Sequence, residues 1–169
     1  MAGGSPTGSS TKATKASGGT LVGLSASNPL VGGQQVPLAN APGIVGFNVP
    51  VPSTSIASQA NLTATWVVAS RQQAALVFDQ GSLTITMDPA AYQDPKREYQ
   101  AFVAEDNAQS CVGQVEGLPA LVISPDTDCG QSNPAWVEFD LNRIDINVYS
   151  AGYSDDQLLD VADSMAQPT

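Results

Sequence analysis

Apolar and polar residues alternate in short runs along most of this chain, and the alternation breaks only near its C-terminus. In Ser82–Met87, Leu83, Ile85 and Met87 alternate with Ser82, Thr84 and Thr86. In Ile144–Tyr149, Ile144, Ile146 and Val148 alternate with Asp145, Asn147 and Tyr149. A period of two places one set of side chains on a buried face and the other in water, so both runs predict half-buried strands. The same reasoning predicts strands over Ile44–Val51, Asn61–Ala69, Ala74–Phe78, Tyr99–Ala104, Ser110–Val115, Leu118–Ile123 and Ala135–Asp140. Asp79-Gln80-Gly81 and Glu116-Gly117 sit between adjacent runs as hairpin turns. Residues 88–98, with Pro89 and Pro95, form the longest polar interruption and have room for a helical turn.

The period changes after Ser150. Ser154 is an N-cap residue whose hydroxyl can accept from a first-turn amide, and Gln157 three residues on completes a capping box. Tyr153 and Leu158 are spaced as a hydrophobic staple, and Asp155 and Asp156 complement the helix dipole. Leu158, Leu159, Ala162 and Met165 share one helical face, and Pro168 ends the element. Short strands followed by one amphipathic helix predict an α+β fold: a curved, mainly antiparallel β-sheet with the C-terminal helix packed on one face.

Composition divides the chain into three parts. Residues 1–20 are Ser, Thr, Gly and Ala with two lysines, the make-up of a flexible tether. Residues 21–43 mix apolar residues with Pro29, Pro37 and Pro42 and read as a loop-rich extended segment. Residues 44–169 read as a single domain. No apolar run approaches the roughly 18 residues a transmembrane helix needs, and the start has no apolar signal-peptide core. Tethers of this kind follow membrane anchors or lipidated cysteines. The expectation is an exported, cell-envelope lipoprotein whose signal Met1 replaces, the alternatives being an expression leader or a cytoplasmic tail.

The two cysteines agree with export. Cys111 and Cys129 flank the hairpin that turns at Glu116-Gly117, in adjoining segments. A disulfide between them would contribute about 3 kcal/mol by restricting the unfolded chain, and it would persist only in an oxidising compartment. Two buried thiols or a metal site are the alternatives. Zinc is disfavoured because the chain has no histidine to complete the ligand set.

Charge is lopsided. Residues 1–78 carry +3 and no carboxylate, while the remainder carries −13, giving the net −10. Nucleic acid and anionic membrane surfaces are therefore disfavoured as partners, since both call for clustered Lys and Arg. A basic protein partner would instead meet Glu105, Asp106, Glu116, Glu138, Asp140, Asp155, Asp156, Asp160 and Asp163, unless these serve only solubility.

Little else in the chain carries chemistry. Without histidine there is no usual general base or triad, and Gly32-Gly33 lacks the lysine and setting of a phosphate loop. No catalytic residue and no cofactor is assigned. Asp126 and Asp128 form an Asp-x-Asp loop able to offer hard oxygens to Ca²⁺, or simply an Asx turn. Asn61-Leu62-Thr63 matches a glycosylation acceptor but falls in a predicted strand. Trp66 and Trp136 read as core residues or, with Leu83, Ile85, Met87, Ile144, Ile146 and Val148, as the lining of an apolar pocket.

The order of these parts resembles a bacterial type. FNVPVP leads into the strands, ALVFDQGSLTITMDP forms the central hairpin, VEGLPALVIS precedes a tryptophan-bearing strand, and DINVYSAGYSDDQLLDVADSM closes the domain. Together, over about residues 44–166, they are similar to extracytoplasmic domains of unknown function found in membrane-anchored lipoproteins and in C-terminal regions of anti-sigma factors. Those are related in architecture to lipoprotein-carrier and sigma-regulator domains, whose curved sheet wraps a helix. The chain departs from that type in its cysteine pair and its acid-free first half. The resemblance implies a non-enzymatic, monomeric binding or sensing domain. The alternative it implies is a carrier holding a lipid or other apolar small molecule between sheet and helix.

Overall fold

The computed structural model describes residues 28–105, 110–123 and 135–167. They form an open eight-stranded sheet in which every neighbouring pair is antiparallel. The strands are β1 (Gln34–Val36), β2 (Leu62–Val68), β3 (Gln73–Phe78), β4 (Leu83–Pro89), β5 (Ser110–Val115), β6 (Leu118–Ile123), β7 (Ala135–Leu141) and β8 (Ile144–Ser150). Their spatial order is β1-β2-β3-β4-β8-β7-β6-β5. Each half of the chain is thus a four-stranded meander, and β4 joins the two by pairing with β8. The fold is α+β, as the alternation predicts.

Strand register lines up the buried residues in rows across the sheet. Leu76, Ile85, Val148, Val137 and Val122 are successive partners across five strands. Met87, Ile146, Phe139 and Ala120 form a second row. This inner face is covered by α1 (Ala41–Val45) and α3 (Asp155–Ala166), whose Ala41, Val45, Leu158, Val161, Ala162 and Met165 join the same core. A third helix, α2 (Pro95–Glu105), packs on β5 and β6 from the opposite side.

The tight turns follow from backbone chemistry. Glu116 and Gly117 both have positive φ, as do Asn142 and Arg143 between β7 and β8, which is the geometry a two-residue hairpin needs. Only the first of these pairs carries the glycine that makes such a turn conspicuous. Helix α3 begins as its capping box dictates: the Ser154 hydroxyl accepts from the Gln157 amide, and the Gln157 side chain accepts from the Ser154 amide at 3.0 Å. The chain enters that cap through buried Ser150. Its hydroxyl donates to the Ser82 carbonyl at 2.7 Å and accepts from the Gly152 and Tyr153 amides, tying β8, β4 and the helix entry together.

Two expected strands are absent: Ile44–Val51 is a helix end followed by irregular chain, and Tyr99–Ala104 is helical. Residues 44 and 45 end α1, bracketed by Pro42 in its first turn and Gly46 in a left-handed C-cap. Residues 99–104 lie inside α2, where Asp94 supplies the cap, accepting from the Arg97 amide at 3.2 Å, and Pro95 takes the first helical position. The apolar positions of YQAFVA fit both periods, and the cap decides between them. The expected tether, residues 1–20, lies outside the described residues; within 28–43, β1 pairs with β2 as an edge strand.

Phe139 stands at the centre of the inner face with no exposure. Phe139→Ala should cost about 3–5 kcal/mol, and Ser154→Ala about 1 kcal/mol, in urea unfolding followed by circular dichroism.

Candidate functional site

Alternation that fills one face of a sheet must present the other. On the outer face the register sets Asp140 directly opposite Asp145, and Asp145 directly opposite Asp88. Three carboxylates thus form a row across β7, β8 and β4, with Glu138 two residues along from Asp140. Like charges placed directly opposite each other destabilise a sheet, so this row is a local cost to the fold.

Its surroundings raise that cost. All four carboxylates are half-buried. Burial, then the Asp145 and Asp140 charges, push the Glu138 carboxyl up to about 7. Burial also pushes Asp145 up to about 6, against a lowering hydrogen bond from the Asn147 amide at 3.2 Å, with the Asp140 and Asp88 charges adding to the rise. Asp140 is raised by burial. Among the described residues no basic side chain lowers any of the three. One oxygen each of Asp140 and Asp145 is buried without a hydrogen-bond partner. Asp88 does have one, accepting from the Gln73 side-chain amide.

Helix α2, packed on β5 and β6, buries Tyr99. Tyr99 is 1% exposed, yet its hydroxyl has no hydrogen-bond partner. Burial, and then the charges of Glu138, Asp140 and Asp145, push its phenol well above its ordinary range. Tyr92 stands edge-on to Tyr99 with ring centroids 6.3 Å apart. Beside them lies a cavity of about 650 Å³, lined by residues 90–93 and by Pro95, Asp140 and Arg143. The Ala90 amide donates to the Arg143 carbonyl at 2.8 Å, which holds the β4–α2 loop against the β7–β8 turn.

A second cavity of about 430 Å³ lies between the loop at Thr54–Ile56, Glu116 and α3. Its polar groups are engaged in joining those parts. The Glu116 amide donates to Asp163 at 2.8 Å, the Ser53 amide to Ser164 at 3.2 Å, and the Gln167 amide to Glu116 at 3.3 Å. It is a seam of the fold, whereas the outer-face cluster leaves acceptors unused.

The residues named from sequence separate. Leu83, Ile85, Met87, Ile146 and Val148 are wholly buried in the core, and Ile144 packs against it. Trp66 and Trp136 are not with them but on the outer face. Trp66 is half-buried beside Ala64, Val77 and Ala75. Trp136 is 39% exposed, paired across strands with Tyr149, and its indole donates to the Asn147 side-chain oxygen at 2.8 Å. The eight residues therefore do not line one pocket. The tryptophans were grouped with the wrong face because a bulky aromatic fits either side of a strand.

Cys111 is half-buried and is not a free thiol, while its expected partner Cys129 lies outside the described residues. Asp126 and Asp128 also lie outside them. Among the described residues no three Asp, Glu or Cys side chains converge as metal ligands. Asp155, expected on the open acidic surface, is buried at the start of α3, where it accepts from the Asp156 amide at 3.0 Å. The Asn61 side chain is taken up locally, accepting from the Ser58 amide at 2.7 Å and donating to the Ile56 carbonyl at 2.8 Å.

From sequence, Glu138 and Asp140 stand out only as surface acids, and Asp88, Asp145, Tyr92 and Tyr99 do not stand out as site residues. The signal for the acids was present: Asp140 and Asp145 occupy polar positions of strands joined by a two-residue turn, so they had to face each other. The chain matches no protein family model, no curated protein and no solved structure.

The raised carboxyls fix a direction for stability against pH. Glu138 and Asp145 are more easily protonated in the fold than at their ordinary values of 4.5 and 3.8. Their stabilising contribution is thus full below about pH 4 and is lost as pH rises through about 6 and 7. Glu138→Gln should stabilise the protein by about 1–2 kcal/mol at pH 8 and leave pH 4 nearly unchanged, measured by urea unfolding at both pH values.

Proposed function

We propose that this protein is a non-enzymatic binding domain whose outer sheet face recognises a positively charged partner. The observation that carries the reading is the row of Asp88, Asp145 and Asp140, with two buried oxygens unpaired and no basic residue among its cross-strand partners. A fold tolerates such a cost where a ligand relieves it. The bacterial cell-envelope setting belongs to the same proposal, supported by the resemblance and by a Cys111 that is not a free thiol. The carrier reading is less well supported, because its apolar residues are packed without exposure beneath α1 and α3.

Two double variants of equal charge separate a specific face from general acidity. Glu138→Gln with Asp145→Asn removes two charges from the outer face; Asp156→Asn with Asp160→Asn removes two exposed ones from α3. Stopped-flow association with a fluorescent lysine-rich peptide at pH 8 should slow steeply with salt. The first variant should slow it by about tenfold and the second by much less. Equal effects would leave solubility as the sufficient reason for the acids. Intact-mass measurement of the exported protein should show a 2 Da gain on reduction, the signature of a Cys111–Cys129 disulfide.

A further inference from the structure

We infer that the open strip of the outer sheet face over β7, β8 and β4 docks an arginine-bearing segment of a basic protein, with Trp136 and Tyr149 stacking on the guanidinium and Glu138 as its carboxylate partner. This rests on the charged-face reading above and names the side chain that face would take.

The strip is bounded by what covers its flanks. On one side α2 packs on β5 and β6. On the other, Leu30 and Trp66 lie against Val68 and Ala75. Between these covers the face stays open. Trp136 and Tyr149 are direct cross-strand partners there, 39% and 48% exposed, and Thr84 of β4 follows Tyr149 in the same row. Two large aromatic side chains set side by side in water differ from the scattered single apolar residues of an ordinary surface, and such a patch marks a place of contact.

Charge and geometry select the occupant. Strand periodicity puts Glu138 on the same face as Trp136, two residues along β7 and about 7 Å away. Asn147 stands across from Glu138 on β8. The Trp136 indole donates to the Asn147 side-chain oxygen at 2.8 Å, and the Asn147 side-chain amide donates to Asp145 at 3.2 Å. The ring is thereby anchored and linked to the carboxylates, so it loses little freedom when something binds. The strip offers aromatic surface at one end and negative charge at the other. Its complement is a group both flat and positively charged. A guanidinium is that group: it stacks on Trp and Tyr rings, forks onto a carboxylate, and is more weakly hydrated than an ammonium.

Other occupants fit less well. A sugar would stack on the rings but leave Glu138 and Asp145 without a countercharge. An apolar surface would strip water from those carboxylates and give them no partner. A nucleic acid would be repelled by them. The nearest base of the chain itself, Arg143, does not reach the rings. It stands in the β7–β8 turn, six residues along β8 from Tyr149, which is about 20 Å at the rise of a strand.

Fluorescence anisotropy with two labelled peptides tests the strip: one of alternating arginine and glycine, the other its lysine counterpart of equal charge. The full chain is titrated at pH 8, where Glu138 is ionised. The arginine peptide should bind saturably and about fivefold more tightly than the lysine peptide. Trp136→Ala and Tyr149→Ala should each weaken the arginine peptide by about fivefold and the lysine peptide by less than twofold, while Glu138→Gln weakens both. Tyr149→Ala removes an exposed side chain and tests the strip even if Trp136→Ala disturbs the fold, which circular dichroism reports. In a Trp66→Phe background Trp136 is the single tryptophan, and the arginine peptide should shift its emission more than the lysine peptide does. Four results would overturn the inference: no saturable binding of the arginine peptide, equal affinity for the two peptides, a preference for arginine that survives Tyr149→Ala, or tighter binding of cellohexaose than of the arginine peptide. If the two peptides bind equally and still depend on Glu138 and Asp145, the charged face stands and only the arginine assignment falls. If neither depends on those acids, both readings fall.

Discussion

The pairing of β4 with β8 is the constraint on which the rest depends. Each four-stranded meander alone has an apolar face and too little to cover it. Joining them sets Leu83, Ile85 and Met87 against Ser150, Val148 and Ile146. That registration makes the two apolar faces continuous, so that α1 and α3 cover a single surface. Ser150 sits at the end of the seam and secures it, holding the Ser82 carbonyl and the entry to α3 with one hydroxyl. A one-residue slip there would turn every side chain of one meander to the other face.

The same registration creates the outer carboxylate row. Asp88 and Asp145 are opposite each other because Ile85 and Val148 are. Inner packing and outer electrostatics are two sides of one alignment, and optimising the first leaves no freedom to relieve the second. The row is left half-buried, with α2 packed on β5 and β6 to one side of it. Half-burial takes the carboxylates partly out of water without supplying a donor for every oxygen.

Most of the sheet was legible because period-two alternation is a local signal. Ser110–Val115 and Leu118–Ile123 begin and end where the pattern and the Glu116-Gly117 turn place them. Helix α3 was legible because its cap, staple and apolar stripe agree. Helix α2 was not, since Tyr99 is its only wholly buried residue and its stripe is thin; Asp94 and Pro95 were the informative pair. The candidate site was illegible for a different reason. Asp88 and Asp145 lie far apart in sequence, and no local pattern shows that β8 will return to pair with β4. Which face an alternating residue occupies is likewise a property of the assembled sheet, as the two tryptophans show.

The order in which the ribosome releases these strands gives the β4–β8 seam a consequence in time. The first meander can form as soon as β4 emerges, but β4 then waits as an open edge until β8 is made. Throughout that interval its unpaired backbone and its Leu83, Ile85 and Met87 stripe lie bare, since α3, which covers the core, is made later still. Closing the seam demands a contact between residues about sixty positions apart, the kind of non-local step that slows folding and favours capture by another unfinished chain. Native β4 is interior and has no free edge; nascent β4 is all edge. The protein's exposure to aggregation is therefore concentrated in the interval between the making of β4 and that of β8, at a strand that in the finished molecule no solvent or partner can reach along its backbone.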